Sequence, residues 1–155
     1  MKNLIGIEKS KAEKLSEKLN TLLSNYQIYY QNLRGFHWNI SGPSFFELHA
    51  KFEELYTGAN TSIDDIAERI LTLGSTPLHT FEDYWSGAAI KAAKNVKDGT
   101  ETVKTTIANL GTLIELEREI LSLANEADDE GTATLMSDYI KEQEKTVWML
   151  SAYAK

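Results

Sequence analysis

The chain has 155 residues, no cysteine, two prolines, 42% hydrophobic and 25% charged residues, and a formal net charge of −7. That length suits one domain over residues 1–155 that buries a core without staples, and the missing Cys excludes zinc ribbons, iron–sulfur ligation and thiol catalysis. The acidic balance argues against condensation on nucleic acid, and no apolar run approaches the roughly 18 residues of a membrane span.

Leu15, Leu19, Leu22, Tyr26, Tyr29 and Leu33 recur at threes and fours, which predicts a first helix over 10–36 with Ser10 as its cap. Pro43 suits the first position of a second helix over 43–73. Its stripe is the cleanest in the chain: Phe45, Leu48, Phe52, Leu55, Ala59, Ile63, Ile66, Ile70 and Leu73. Gly74 follows as a C′ residue. The pattern then weakens as far as Gly99, with one short helix around 81–85 packed by its aromatics. Val103, Ile107, Leu110, Ile114, Leu121 and Ala124 mark a helix over 100–125 capped by Thr100. Met136, Tyr139, Ile140, Val147 and Leu150 mark a last one over 129–152. The expected fold is all-α: a four-helix bundle whose long connection between the second and third main helices carries a short extra helix.

Two of the three His, His37 and His49, lie twelve residues apart around the first turn. Each sits on an apolar stripe. Glu53 follows His49 by four, and Asp64 and Glu68 form a second i, i+4 pair further along the same helix. A histidine on an apolar stripe is most often a hydrogen-bonded core residue, and acid pairs are most often solvated. Two His and three carboxylates on or beside buried stripes nonetheless make a metal site an equal contender; imidazole with carboxylate suits Fe, Mn, Zn or Cu.

Distance limits how these residues can combine. At 1.5 Å per residue, His49 stands about 22 Å from Asp64 and about 28 Å from Glu68 on one straight helix. One chain cannot bring them to one ion. Either two separate clusters exist, or two chains meet antiparallel across a twofold axis, the His end of one facing the acid end of the other. No Glu-x-x-His motif occurs in the sequence, which disfavours a di-iron site inside one bundle.

The run Asn32-Leu33-Arg34-Gly35-Phe36-His37-Trp38-Asn39-Ile40-Ser41-Gly42-Pro43, followed by Phe45-Phe46-Glu47-Leu48-His49, resembles the Dps family of ferritin-like proteins. So do Phe52-Glu53-Glu54-Leu55-Tyr56, Ile63-Asp64-Asp65-Ile66-Ala67-Glu68-Arg69-Ile70 and Lys145-Thr146-Val147-Trp148-Met149-Leu150. The resemblance covers nearly the whole chain. It implies a ferritin-like bundle and a hollow dodecamer that oxidises Fe(II) to Fe(III), preferably with hydrogen peroxide and otherwise with dioxygen, and stores the ferric mineral.

By position, the resemblance implies that His37 and His49 of one subunit hold a di-iron or mono-iron site with Asp64 and Glu68 of the next. Glu53 stands where the family carries a further acid, often Asp, and Trp38 resembles its site-adjacent tryptophan. The acids at 126–130 most often serve as helix caps and dipole partners; the resemblance implies that they also line an iron-admitting pore, with Asp129 the first candidate, and both roles can hold at once. His79 reads as a surface residue.

The family's other activity, DNA binding through a lysine-rich tail, is expected to be weak here, because only about nine residues precede the first helix. The localisation expected is cytoplasmic, with nucleoid association and DNA protection as the alternative role. A bare bundle without metal is the third reading.

Overall fold

The computed structural model describes all 155 residues, and five helices account for nearly all of its regular structure. These are α1 (Lys9–Asn39), α2 (Phe45–Thr72), α3 (Phe81–Gly87), α4 (Gly99–Glu126) and α5 (Glu130–Tyr153). α1 packs on α2, α4 on α5, and α1 on α4, with short α3 laid against α1. One cluster of 28 buried apolar residues runs from Ile7 to Leu150. The stripe expected of the second helix is the stripe observed: Leu48, Phe52, Ala59, Ile66, Ile70 and Leu73 are buried and the rest of it half-buried.

The helix ends differ from the sequence expectations, because hydrogen bonding and not residue preference decides each cap. Ser10 lies inside α1; its hydroxyl donates to Glu8, the residue at the N-cap position. Pro43 stays in the turn ahead of Ser44, which is the N-cap of α2. Asp98, and not Thr100, caps α4 by accepting from the Glu101 N–H at 3.1 Å. Gly74 does terminate α2. At φ +94° it adopts the left-handed conformation that lets its N–H reach Leu71 O and the Ser75 N–H reach Ile70 O.

The crossover between α2 and α4 is held by polar pegs on α1. Asn20 Oδ1 accepts from Leu78 N–H, Asn25 Oδ1 accepts from Ala89 and Ile90 N–H, and Asn32 Oδ1 accepts from Ala93 N–H. Asn32 Nδ2 also donates to Lys91 O and to Asn109 on α4. Irregular backbone against a bundle needs partners for its amides, and these three side chains supply them. The aromatics of α3 do not pack as expected: Phe81 and Trp85 are exposed, and only Tyr84 turns inward, donating to Leu78 O.

The residues ahead of α1 are tied down as well. Asn3 Oδ1 accepts from Ile5 and Ile7 N–H, Asn3 Nδ2 donates to Leu73 O at the end of α2, and Lys9 N–H donates to Met1 O. The short free tail read from the sequence is therefore an ordered turn against the bundle.

Candidate metal centre

The turn between α1 and α2 brings Phe36 against Phe52, ring centroids 5.4 Å apart, and thereby sets the register of the two helices at this end. The residue after Phe36 and the residue after Leu48 then meet across the seam. His37 Nδ1 lies 2.6 Å from His49 O, and His49 Nδ1 lies 2.7 Å from His37 O. A carbonyl only accepts, so in both rings Nδ1 carries the proton. Nε2 is then the nitrogen each ring has left for a metal ion. The rings stack 3.8 Å apart with planes within 12°, and Phe45 stacks on His49 at 4.9 Å. Tyr56, one turn beyond Phe52, meets His37 edge-on at 5.4 Å. The pair is thus oriented on three sides by carbon and by reciprocal hydrogen bonds.

Glu53 is exposed one turn beyond His49. Asp64 and Glu68 are exposed together, close enough to hydrogen-bond. That bond raises the Glu68 carboxyl above its ordinary value, followed by the Asp64 charge, slight desolvation and the Asp65 charge. Two carboxylates this close repel when both are ionised, and a cation between them would relieve that repulsion. α2 is one unbroken helix of 28 residues that carries His49, Glu53, Asp64 and Glu68, so the helical rise keeps His49 and Asp64 about 22 Å apart. No three His, Asp or Glu side chains of the chain converge on one point suited to a metal ion. The structure therefore joins His37 to His49 and Asp64 to Glu68 and leaves the two pairs apart. Trp38 is 56% exposed, with the Arg34 guanidinium 4.8 Å from its ring centroid.

Asp129 is held firmly at the α4–α5 corner. It is the N-cap of α5, 2% exposed, with Oδ1 accepting from Thr132 N–H and from Arg69 Nη2 at 2.6 Å, and Oδ2 accepting from the Thr132 hydroxyl. The carboxylate thus acts within one chain as a helix cap and ion-pair partner, with three hydrogen bonds on its two oxygens. Removing one member of such a buried pair typically costs about 3–5 kcal/mol. Gly131 leaves room for the guanidinium beside it: a Cβ there would lie 2.7 Å from Arg69 Nη1, so a larger residue would displace the arginine from Asp129.

Sequence reading missed two groups. Tyr56 gave no signal, because its neighbour lies on another helix. Glu117 and Gln143 did give one: each fills the gap of seven in its apolar series, between Ile114 and Leu121 and between Ile140 and Val147. Both are buried, and Gln143 Nε2 donates to Glu117 Oε2 at 2.9 Å.

The profile of the ferritin-like domain matches residues 16–155. A crystal structure of a Dps protein from Vibrio cholerae O1, described as a member of a broad superfamily of ferritin-like diiron-carboxylate proteins, superposes with a TM-score of 0.98 at 51% identity. That match covers 99% of this chain and 97% of that one. A Dps structure from Bacillus brevis superposes at 0.92 with 37% identity, covering 96% and 99%. The DNA protection during starvation protein of Porphyromonas gingivalis is 42% identical over 149 residues, covering 96% of this chain and 94% of the relative.

Proposed function

The chain belongs to the ferritin-like family, among the Dps proteins, and on that premise we propose that it is a ferroxidase and iron store. It oxidises Fe(II), its substrate, at sites shared between two copies. His37 and His49 of one copy supply two imidazole nitrogens. Asp64 and Glu68 of a twofold-related copy supply carboxylates, and Glu53 a further acid. Trp38 lies beside the site as an oxidisable aromatic. Twelve copies close into a hollow shell that keeps the ferric mineral. Asp129 borders an iron-admitting pore in this reading while it also anchors the α4–α5 corner.

The observation that carries the proposal is the distance along α2 between the histidine pair and the acid pair. Two Nε2 atoms stand ready at one end with no acid pair of their own chain in reach, and an acid pair stands at the other end with no imidazole. An antiparallel twofold partner completes both at once. The chemistry suits the groups: carboxylate and neutral imidazole hold Fe(II), and anionic oxygen favours Fe(III) once formed. Hydrogen peroxide accepts two electrons, and two Fe(II) supply them: 2 Fe(II) + H₂O₂ + 2 H⁺ → 2 Fe(III) + 2 H₂O. No hydroxyl radical is released in that balance.

The test is to load the protein with Fe(II) without oxygen, add hydrogen peroxide and follow ferric absorbance. The expected result is a fast phase that consumes two Fe(II) per peroxide, with the iron retained on the protein. A rate no faster than that of free iron refutes the reading.

A second reading, a nucleoid-associated shell that binds and protects DNA, draws on the names of the relatives. It is disfavoured by the charge of −7 and by the tethered first residues. Lys11 and Lys18 are also engaged, with Glu126 O and Glu8 and with Glu119 respectively. Band-shift assays are expected to show at most weak binding at low salt that disappears as salt rises. Tight binding at physiological salt would make DNA a principal partner.

A further inference from the structure

Tyr30, Arg34 and Trp38 follow one another at four-residue steps and share one face of α1. That face runs past the histidine pair: Tyr30 meets Tyr56 of α2 at 6.0 Å, and Tyr56 meets His37. The Arg34 guanidinium lies 4.8 Å from the Trp38 ring centroid and 5.3 Å from that of Tyr30. Tryptophan, tyrosine and arginine gathered on an open face are the residues that anchor one protein on another.

Arg34 is half-buried, and its charge is unanswered. Arg69 and Arg118 each hold a carboxylate, at 2.6 and 2.7 Å, whereas Arg34 joins no salt bridge within the chain. A guanidinium laid against aromatic rings keeps its N–H donors at the edge, in a fork that fits a carboxylate. The converse holds further along α2. Asp64 and Glu68 lie within hydrogen-bonding reach of each other, and no salt bridge of their own chain reaches either.

The antiparallel contact that sets those acids over His37 also sets them beside Arg34, one turn earlier on α1. Closing it withdraws two carboxylates from water, and charges so withdrawn need a partner of opposite sign. Iron is that partner in the loaded site. We propose that Arg34 is the partner in the empty one, and hence a specificity-determining residue: its guanidinium pairs with Asp64 and Glu68 of the twofold-related copy until an entering cation displaces it. The inference rests on the shared-site reading above.

Displacement selects among cations. Mg(II) prefers oxygen and gives up its water reluctantly, so it offers the acids little that the guanidinium does not. Fe(II) gains imidazole nitrogen as well, and those bonds offset the loss of the arginine's hydrogen bonds. Once displaced, Arg34 rests on Tyr30 and Trp38, the position it takes in the single chain.

The test titrates Fe(II) alone, and Fe(II) against excess Mg(II), into the assembled protein without oxygen, by calorimetry. R34M keeps a long side chain on the two rings and loses the charge; R34Q repeats that loss with a polar group, and R34K keeps the charge. Wild type and R34K are expected to bind Fe(II) with an affinity indifferent to Mg(II). R34M and R34Q are expected to bind Fe(II) several-fold more tightly, and to lose that gain in excess Mg(II). Metal-free R34M should melt below wild type, and saturating Fe(II) should close the gap. In a D64N/E68Q background the R34M substitution should no longer lower the metal-free melting temperature, which separates the partner's acid pair from Glu53 as the group Arg34 answers. Fe(II) affinity in R34M equal to or below that of wild type overturns the assignment. So does a melting deficit that is the same with and without Fe(II), which marks Arg34 as packing alone. Failure of the shared-site reading is seen separately, in wild type that binds no Fe(II) or in H49A that binds it as tightly as wild type.

Discussion

His49→Ala and Asp64→Ala are each expected to reduce fast Fe(II) oxidation by more than about 100-fold, since loss even of a residue that only orients a ligand costs 10–100-fold. The informative result comes from combining them. In a mixed pair of chains, one interface site carries both defects and the other carries neither, because the histidines and the acids of a site come from different chains. Co-expression at equal levels makes half of all pairs mixed, each with one intact site of two, so activity should return to about a quarter of wild type. A site built within one chain predicts no recovery, since every chain then carries a defect. Asp64 is exposed and tolerates truncation without a cavity. His49 also accepts the His37 Nδ1–H on its backbone oxygen, a bond the alanine variant retains. Recovery indistinguishable from zero would rule out the shared site.

Glu117→Gln is expected to remove a pH dependence from the stability of the bundle. Glu117 sits in the core of the bundle with Tyr26 O–H donating to Oε2 at 3.1 Å and Gln143 Nε2 donating to the same oxygen. Burial pushes its carboxyl from the ordinary 4.5 up to about 8, against the opposing pull of Gln143, Tyr26 and Arg118. Glu117 Oε1 and Gln143 Oε1 have no donor. The protonated acid supplies the one donor that the pair lacks.

Between about pH 4.5 and 8 the folded chain therefore holds a proton that the unfolded chain has released, and stability falls as pH rises through that window. The whole window corresponds to at most roughly 5 kcal/mol, at about 1.4 kcal/mol per pH unit of separation. Gln at this position is neutral throughout and of the same size. The variant should match wild type near the acid end and exceed it by a few kcal/mol above about pH 8. Thermal or denaturant unfolding of both proteins across this range provides the measurement. Tyr26, Tyr29 and Tyr139 hold their protons beyond the window. Parallel stability curves would show that Glu117 is ionised in the fold.

Both expectations depend on contacts between helices, and here the two levels of information separate. Residue order alone determined the four long helices, because the apolar steps of three and four from Leu15 to Leu33 and from Phe45 to Leu73 admit no other period. It determined the stop at Gly74, which needs only a local left-handed turn. It also determined that His49 and Asp64 of one chain cannot share an ion, because the rise per residue is a property of the helix and not of its surroundings.

The tertiary structure decided which nitrogen each histidine offers, since His37 and His49 bond to one another's backbone only once α1 and α2 are folded back in register. It decided that Asp129, besides capping α5, meets Arg69, sixty residues away. Asn20, Asn25 and Asn32 give no signal in the sequence until the crossover lies across them, nor does Tyr56 until His37 lies against it. Periodicity records which face of a helix is buried. It carries nothing about the rotation and register of one helix on another, and those alone determine whether a polar side chain on that face meets solvent, a backbone amide or a ligand.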